Sequence, residues 1–76
     1  MKTIVVGFHN NLDALVWFHH NGTQVDVFGI KKQSPENNER CSLIIKMSIP
    51  TSLDVSPGVI LEGDFNSYEG EICASI

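Results

Sequence analysis

The chain is short of positive charge: five Lys and Arg stand against nine Asp and Glu, giving a net charge of −4 and a pI near 5.1. Residues 47–76 contain no cation at all and carry Asp54, Glu62, Asp64, Glu69 and Glu71. Residues 1–46 balance at +1, with Lys2, Lys31, Lys32, Arg40 and Lys46 against Asp13, Asp26, Glu36 and Glu39. Such a balance excludes binding to nucleic acid by bulk charge, and it separates two ends suited to different partners. Long apolar runs are also missing. The longest, Ala14 to Phe18, has five residues and is far too short for a membrane span. After Lys2, only Ile4 to Val6 precede Gly7, His9 and the Asn10-Asn11 pair, so no secretory leader is expected and a cytoplasmic setting follows. The two cysteines, Cys41 and Cys73, do not make a disulfide framework, and in a reducing compartment both act as small buried hydrophobes.

Apolar residues make up 42% and charged residues 18% of 76 positions, which is the composition of a folded chain. At this length the chain is a single domain, 1–76, with a marginal core, and a partner chain would support it. Helical periodicity is weak. Short β-branched and aromatic runs are punctuated by Gly, Asn, Pro and Ser, the pattern of an all-β domain. The runs are Lys2–His9, Asp13–His20, Thr23–Ile30, Cys41–Ser48, Gly58–Phe65 and Glu71–Ile76. Ser34-Pro35 and Asn37-Asn38 mark an exposed loop over Gln33–Arg40, and Asn66–Gly70 marks a turn. Pro50–Pro57 has room for one helical turn at most.

Asn21-Gly22 is a strong hairpin signal, because a two-residue type I′ turn needs positive φ at both positions. It predicts a register in which Phe18 faces Val25, Val16 faces Val27 and Ala14 faces Gly29 on a core side. The other side pairs His19 with Gln24, Trp17 with Asp26 and Leu15 with Phe28. A half-solvated face carrying Leu15, Trp17 and Phe28 is then a minor core, a dimer contact or a ligand platform.

In order, these parts are a long first strand broken near Asn10, a hairpin to a second strand at 23–32, a loop, a third strand at 41–48, a connector, and a closing hairpin of 58–66 and 70–76. The layout resembles the five-stranded OB barrel. Lys2 to Gly7, Asn21 to Gly29, and Pro57 to Phe65 with Tyr68 and Gly70 resemble segments of bacterial single-stranded DNA-binding proteins. Leu43 to Met47, followed by Ser56-Pro57-Gly58, resembles the filamentous-phage DNA-binding proteins. The resemblance implies a small antiparallel OB-like barrel with little or no helix, and single-stranded DNA or RNA as ligand.

Catalysis finds little support. His19 and His20, adjacent on a strand, would point to opposite faces and could not share an ion. No Cys or His spacing suits zinc. Glu69, Glu71 and Asp64 look like a solvated hairpin end rather than an acid-base pair in a cleft. The triplet Asn21-Gly22-Thr23 lies in the proposed turn and reads as a coincidental glycosylation signal. A chain that is not an enzyme and carries no cofactor or metal is therefore expected.

Two binding readings remain. In the first, Trp17 and Phe28 stack bases, Leu15 and His19 border them, and Lys31, Lys32 and Lys46 track phosphates, with Arg40 nearby. In the second, the same aromatic face docks a protein, as in a small acidic inhibitor or adaptor of the kind a mobile element encodes, or else a second copy of the chain.

Overall fold

The computed structural model describes residues 1–33, 41–68 and 70–75, the last four of these by their backbone alone. The expected loop over Gln33–Arg40 and the side chains of Glu69 and Cys73 therefore fall largely outside the described residues. Five strands, β1 (Lys2–Phe8), β2 (Asp26–Lys32), β3 (Leu43–Ile49), β4 (Val59–Leu61) and β5 (Glu71–Ser75), form one sheet. Its order is β4-β1-β3-β2-β5, and every neighbouring pair is antiparallel. The mostly-sheet, antiparallel expectation holds. The sheet is open, with β4 and β5 at its two edges, so the expected closing hairpin of 58–66 and 70–76 is not formed.

The larger correction lies between Asn10 and Asn21. The predicted strand Asp13–His20 is instead a helix, α1 (Asn11–Asn21). The Asn10 side chain accepts a hydrogen bond from the Asp13 backbone N–H at 2.8 Å, which satisfies one of the amides left free at a helix start. No hairpin forms at Asn21-Gly22. Their φ values are −123° and −60°, and the chain continues into a 3-10 turn at Gly22–Gln24. The Asn21 side-chain amide donates to the Trp17 carbonyl one turn back, at 3.0 Å. Phe18 therefore faces no strand partner at Val25. Tertiary burial of Trp17 and Phe18 has outweighed the local turn preference.

β1, α1 and β2 form a split unit. Both strands are antiparallel to β3, which lies between them, so they run parallel to each other and α1 crosses one face. On that front face, Val6, Phe8, Ile45, Met47 and Ile49 meet Ala14 and Trp17 of α1 and Val55 of the 50–58 connector. On the third strand Leu43, Ile45 and Met47 face the helix, while Ile44 and Lys46 face the back. Val5, Ile44 and Phe65 form the smaller back core. Residues 62–68 cross that back face from the β4 edge to Lys31 on β2, with a 3-10 turn at Phe65–Ser67. No helix among the described residues is long and apolar enough to cross a membrane.

Candidate partner-docking surface

The helix has apolar residues on both sides. An α-helix turns about 100° per residue, so residues spaced three or four apart share a face. Ala14, Trp17, Phe18 and Asn21 lie on the inner side, where Trp17 packs edge-on to Phe18 at 5.0 Å and tilted against Phe8 at 6.1 Å. The Trp17 indole N–H donates to the Asp54 carbonyl at 2.9 Å, which ties the helix to the connector. Leu12, Leu15, Val16 and His19 lie on the outer side. There Leu12 is 66%, Leu15 68% and Val16 48% exposed. An amphipathic surface helix normally turns polar residues outward. Here the outward stripe carries no charge, and beside it lies a shallow hollow of about 610 Å³ lined by Leu15, Val16, Phe18, His19 and His20. The His19 and His20 rings stand edge-on with centroids 5.4 Å apart, not on opposite faces as a strand would place them.

The expected aromatic platform is not assembled. Trp17 is 3% exposed and belongs to the core, so its ring faces are occupied by protein. Phe28 is 39% exposed on β2, at a bulge between Val27 and Gly29. Leu15 and His19 are on the outer face of α1, so the three large apolar residues expected together are on three different surfaces. Of the expected phosphate contacts, Lys32 is exposed and Lys46 half-buried. Lys31 is 5% exposed. Its Nζ donates to the carbonyls of Phe65 at 2.7 Å and Tyr68 at 2.9 Å, and lies 4.5 Å from the Phe65 ring centroid. A buried ammonium needs such acceptors, and the ring face adds a cation–π attraction. Lys31 thus fastens the back-face crossing and is not free for phosphate. Arg40 lies outside the described residues.

Lys46 borders a second hollow of about 460 Å³ on the back face, walled by Val5, Leu61, Asp64 and Phe65. Among the described residues no three His, Cys, Asp or Glu side chains come together as a metal site would require. Cys41 is buried, as expected of a small hydrophobe.

Leu12, Val16 and His20 are the surface residues that the strand reading missed. Leu12 falls outside the runs read as strands, and the hairpin register puts Val16 on the core side. The recoverable signal is the i, i+3, i+4, i+7 spacing of Leu12, Leu15, Val16 and His19 after a capping Asn. No protein family matches the chain, and no curated protein or solved structure matches it either.

Proposed function

We propose that this chain is a small protein-interaction module, of inhibitor or adaptor type, which docks through the outer stripe of α1. The observation that carries this reading is that Leu12, Leu15 and Val16 stand exposed together on a helix whose opposite side already fills the core. Clustered exposed apolar side chains of this kind mark interaction surfaces in soluble proteins. The reading includes a cytoplasmic setting, in which Cys41 and Cys73 remain thiols. Its test compares the tagged wild type with a variant carrying Leu12→Gln, Leu15→Gln and Val16→Gln, each passed over a sizing column directly from the producing cells. The wild type elutes in a species larger than 8.4 kDa and the variant as the free chain, with the same far-UV circular dichroism. A wild type that elutes as the free chain, or a variant that retains the larger species, overturns the reading.

A second reading keeps single-stranded nucleic acid as the ligand. It draws on the exposure of Phe28 and Lys32 on β2, with Lys46 at the back-face hollow. One stacking ring and two cations make a weak site. Phe28→Ala then lowers affinity for labelled oligo-dT by about 1–3 kcal/mol. Anisotropy of the labelled strand is the suitable readout, because the buried Trp17 has no ring face to offer a base. No binding at low salt removes this reading.

A further inference from the structure

We infer that the occupant of the α1 stripe is a second copy of this chain, packed antiparallel, helix against helix, about a two-fold axis beside Leu15 and Val16. This rests on the docking reading above and specifies its partner.

The argument is self-complementarity. A two-fold interface brings the same patch together twice, so each feature must find its complement on that patch. Leu12, Leu15, Val16 and His19 occupy positions i, i+3, i+4 and i+7, the four corners of a hole that receives a side chain from a facing helix. The hollow lined by Leu15, Val16, Phe18, His19 and His20 lies at the C-terminal half of the helix, and the exposed Leu12 lies at the N-terminal half. Knob and hollow at opposite ends of one stripe match when a copy is laid head to tail. They do not match in a parallel pair.

Charge follows the same pattern. Asp13 and His20 are seven residues apart, about two turns, and so share one flank of the stripe. In an antiparallel two-fold pair, like flanks face each other, and Asp13 of one copy lies beside His20 of the other, twice. Asp13 is in the first turn and His19 and His20 are in the last, so the opposed helix dipoles reinforce that match. The helix carries no Lys or Arg and no second carboxylate. Asp13 is therefore the one formal charge the helix brings to the contact.

The test is sedimentation equilibrium of the purified chain from micromolar to millimolar concentration, with Leu15→Glu alongside. The wild type approaches twice 8.4 kDa as concentration rises, and Leu15→Glu raises the dissociation constant at least tenfold while keeping its circular dichroism. Geometry is tested by oxidation of Val16→Cys and Leu12→Cys variants against the wild type, which has no cysteine on α1. Val16→Cys, beside the axis, forms a disulfide dimer, and Leu12→Cys, far from it, does not. A wild type that stays monomeric throughout, a dimer indifferent to Leu15→Glu, or equal cross-linking at both positions overturns the inference. A monomeric wild type that still elutes from cells in a larger, stripe-dependent species leaves the docking reading standing with a different partner. A wild type that elutes from cells as the free chain removes both.

Discussion

Lys31 is tightly constrained: an amine-bearing side chain, nearly fully buried, answered by two carbonyls and a ring. Lys31→Met keeps the stem and removes the hydrogen bonds. Hydrogen bonds from a charged donor are worth roughly 1.5–3 kcal/mol, so the variant is expected to lose about 2 kcal/mol in a urea titration. Gly58 is constrained by closeness. A methyl there would lie 2.8 Å from Val6 Cγ1 and 2.9 Å from Phe8 Cε1. Gly58→Ala is expected to cost about 1–3 kcal/mol through overpacking, measured the same way. Asp54 links pH to the helix anchor. The backbone N–H of Ser56, 3.0 Å from the carboxylate, and then the Ser56 hydroxyl hold its pKa below the ordinary aspartate value. A lowered folded-state value means that the ionised form stabilises the fold above the unfolded pKa, about 3.9, and that this support is lost as pH falls through the lowered value. Thermal melts of wild type and Asp54→Ala should therefore differ steadily from pH 7 to about 4 and converge below that. A gap unchanged down to pH 3 would contradict this linkage.

At the scale of elements, α1 is where prediction and structure parted. β1 and β3 were legible as short runs rich in Ile and Val bounded by turn formers, and both faces of each are buried, while the proline-bounded connector was legible as a turn, closed by the Leu53 N–H donating to the Pro50 carbonyl at 3.0 Å. Ala14 to Phe18 is five apolar residues in a row, which satisfies both the two-residue and the 3.6-residue period. The doubly apolar helix thus erased the amphipathic contrast by which helices are recognised, and Asn21-Gly22 supplied a turn signal that pointed the wrong way. The same ambiguity hid the candidate surface. As a strand, Trp17 stood beside Leu15 on a wet face. As a helix, Trp17 turns inward toward Phe8 and Leu15 turns out. The cap that decided for the helix is testable. Asn10→Ala removes the bond to Asp13 N–H and is expected to cost about 1 kcal/mol and reduce the 222 nm signal near the melting midpoint.

The whole molecule is compact. Its radius of gyration, 11.4 Å, is what a self-contained chain of this length should have. Among the described residues, α1 and the connector pack on the front face of the sheet and the 62–68 crossing packs on the back. The outer stripe of α1 is therefore surplus to the monomer's own core, and polar substitutions there should leave folding intact while removing association. Placing a photo-reactive amino acid at single exposed positions in producing cells tests that most directly. The account predicts discrete cross-linked products from Leu12, Leu15, Val16 and His19, in helical register, and none from Lys32 on β2 or Ser67 on the back face. Equal cross-linking from Lys32 or Ser67, or none from the four stripe positions, would contradict it.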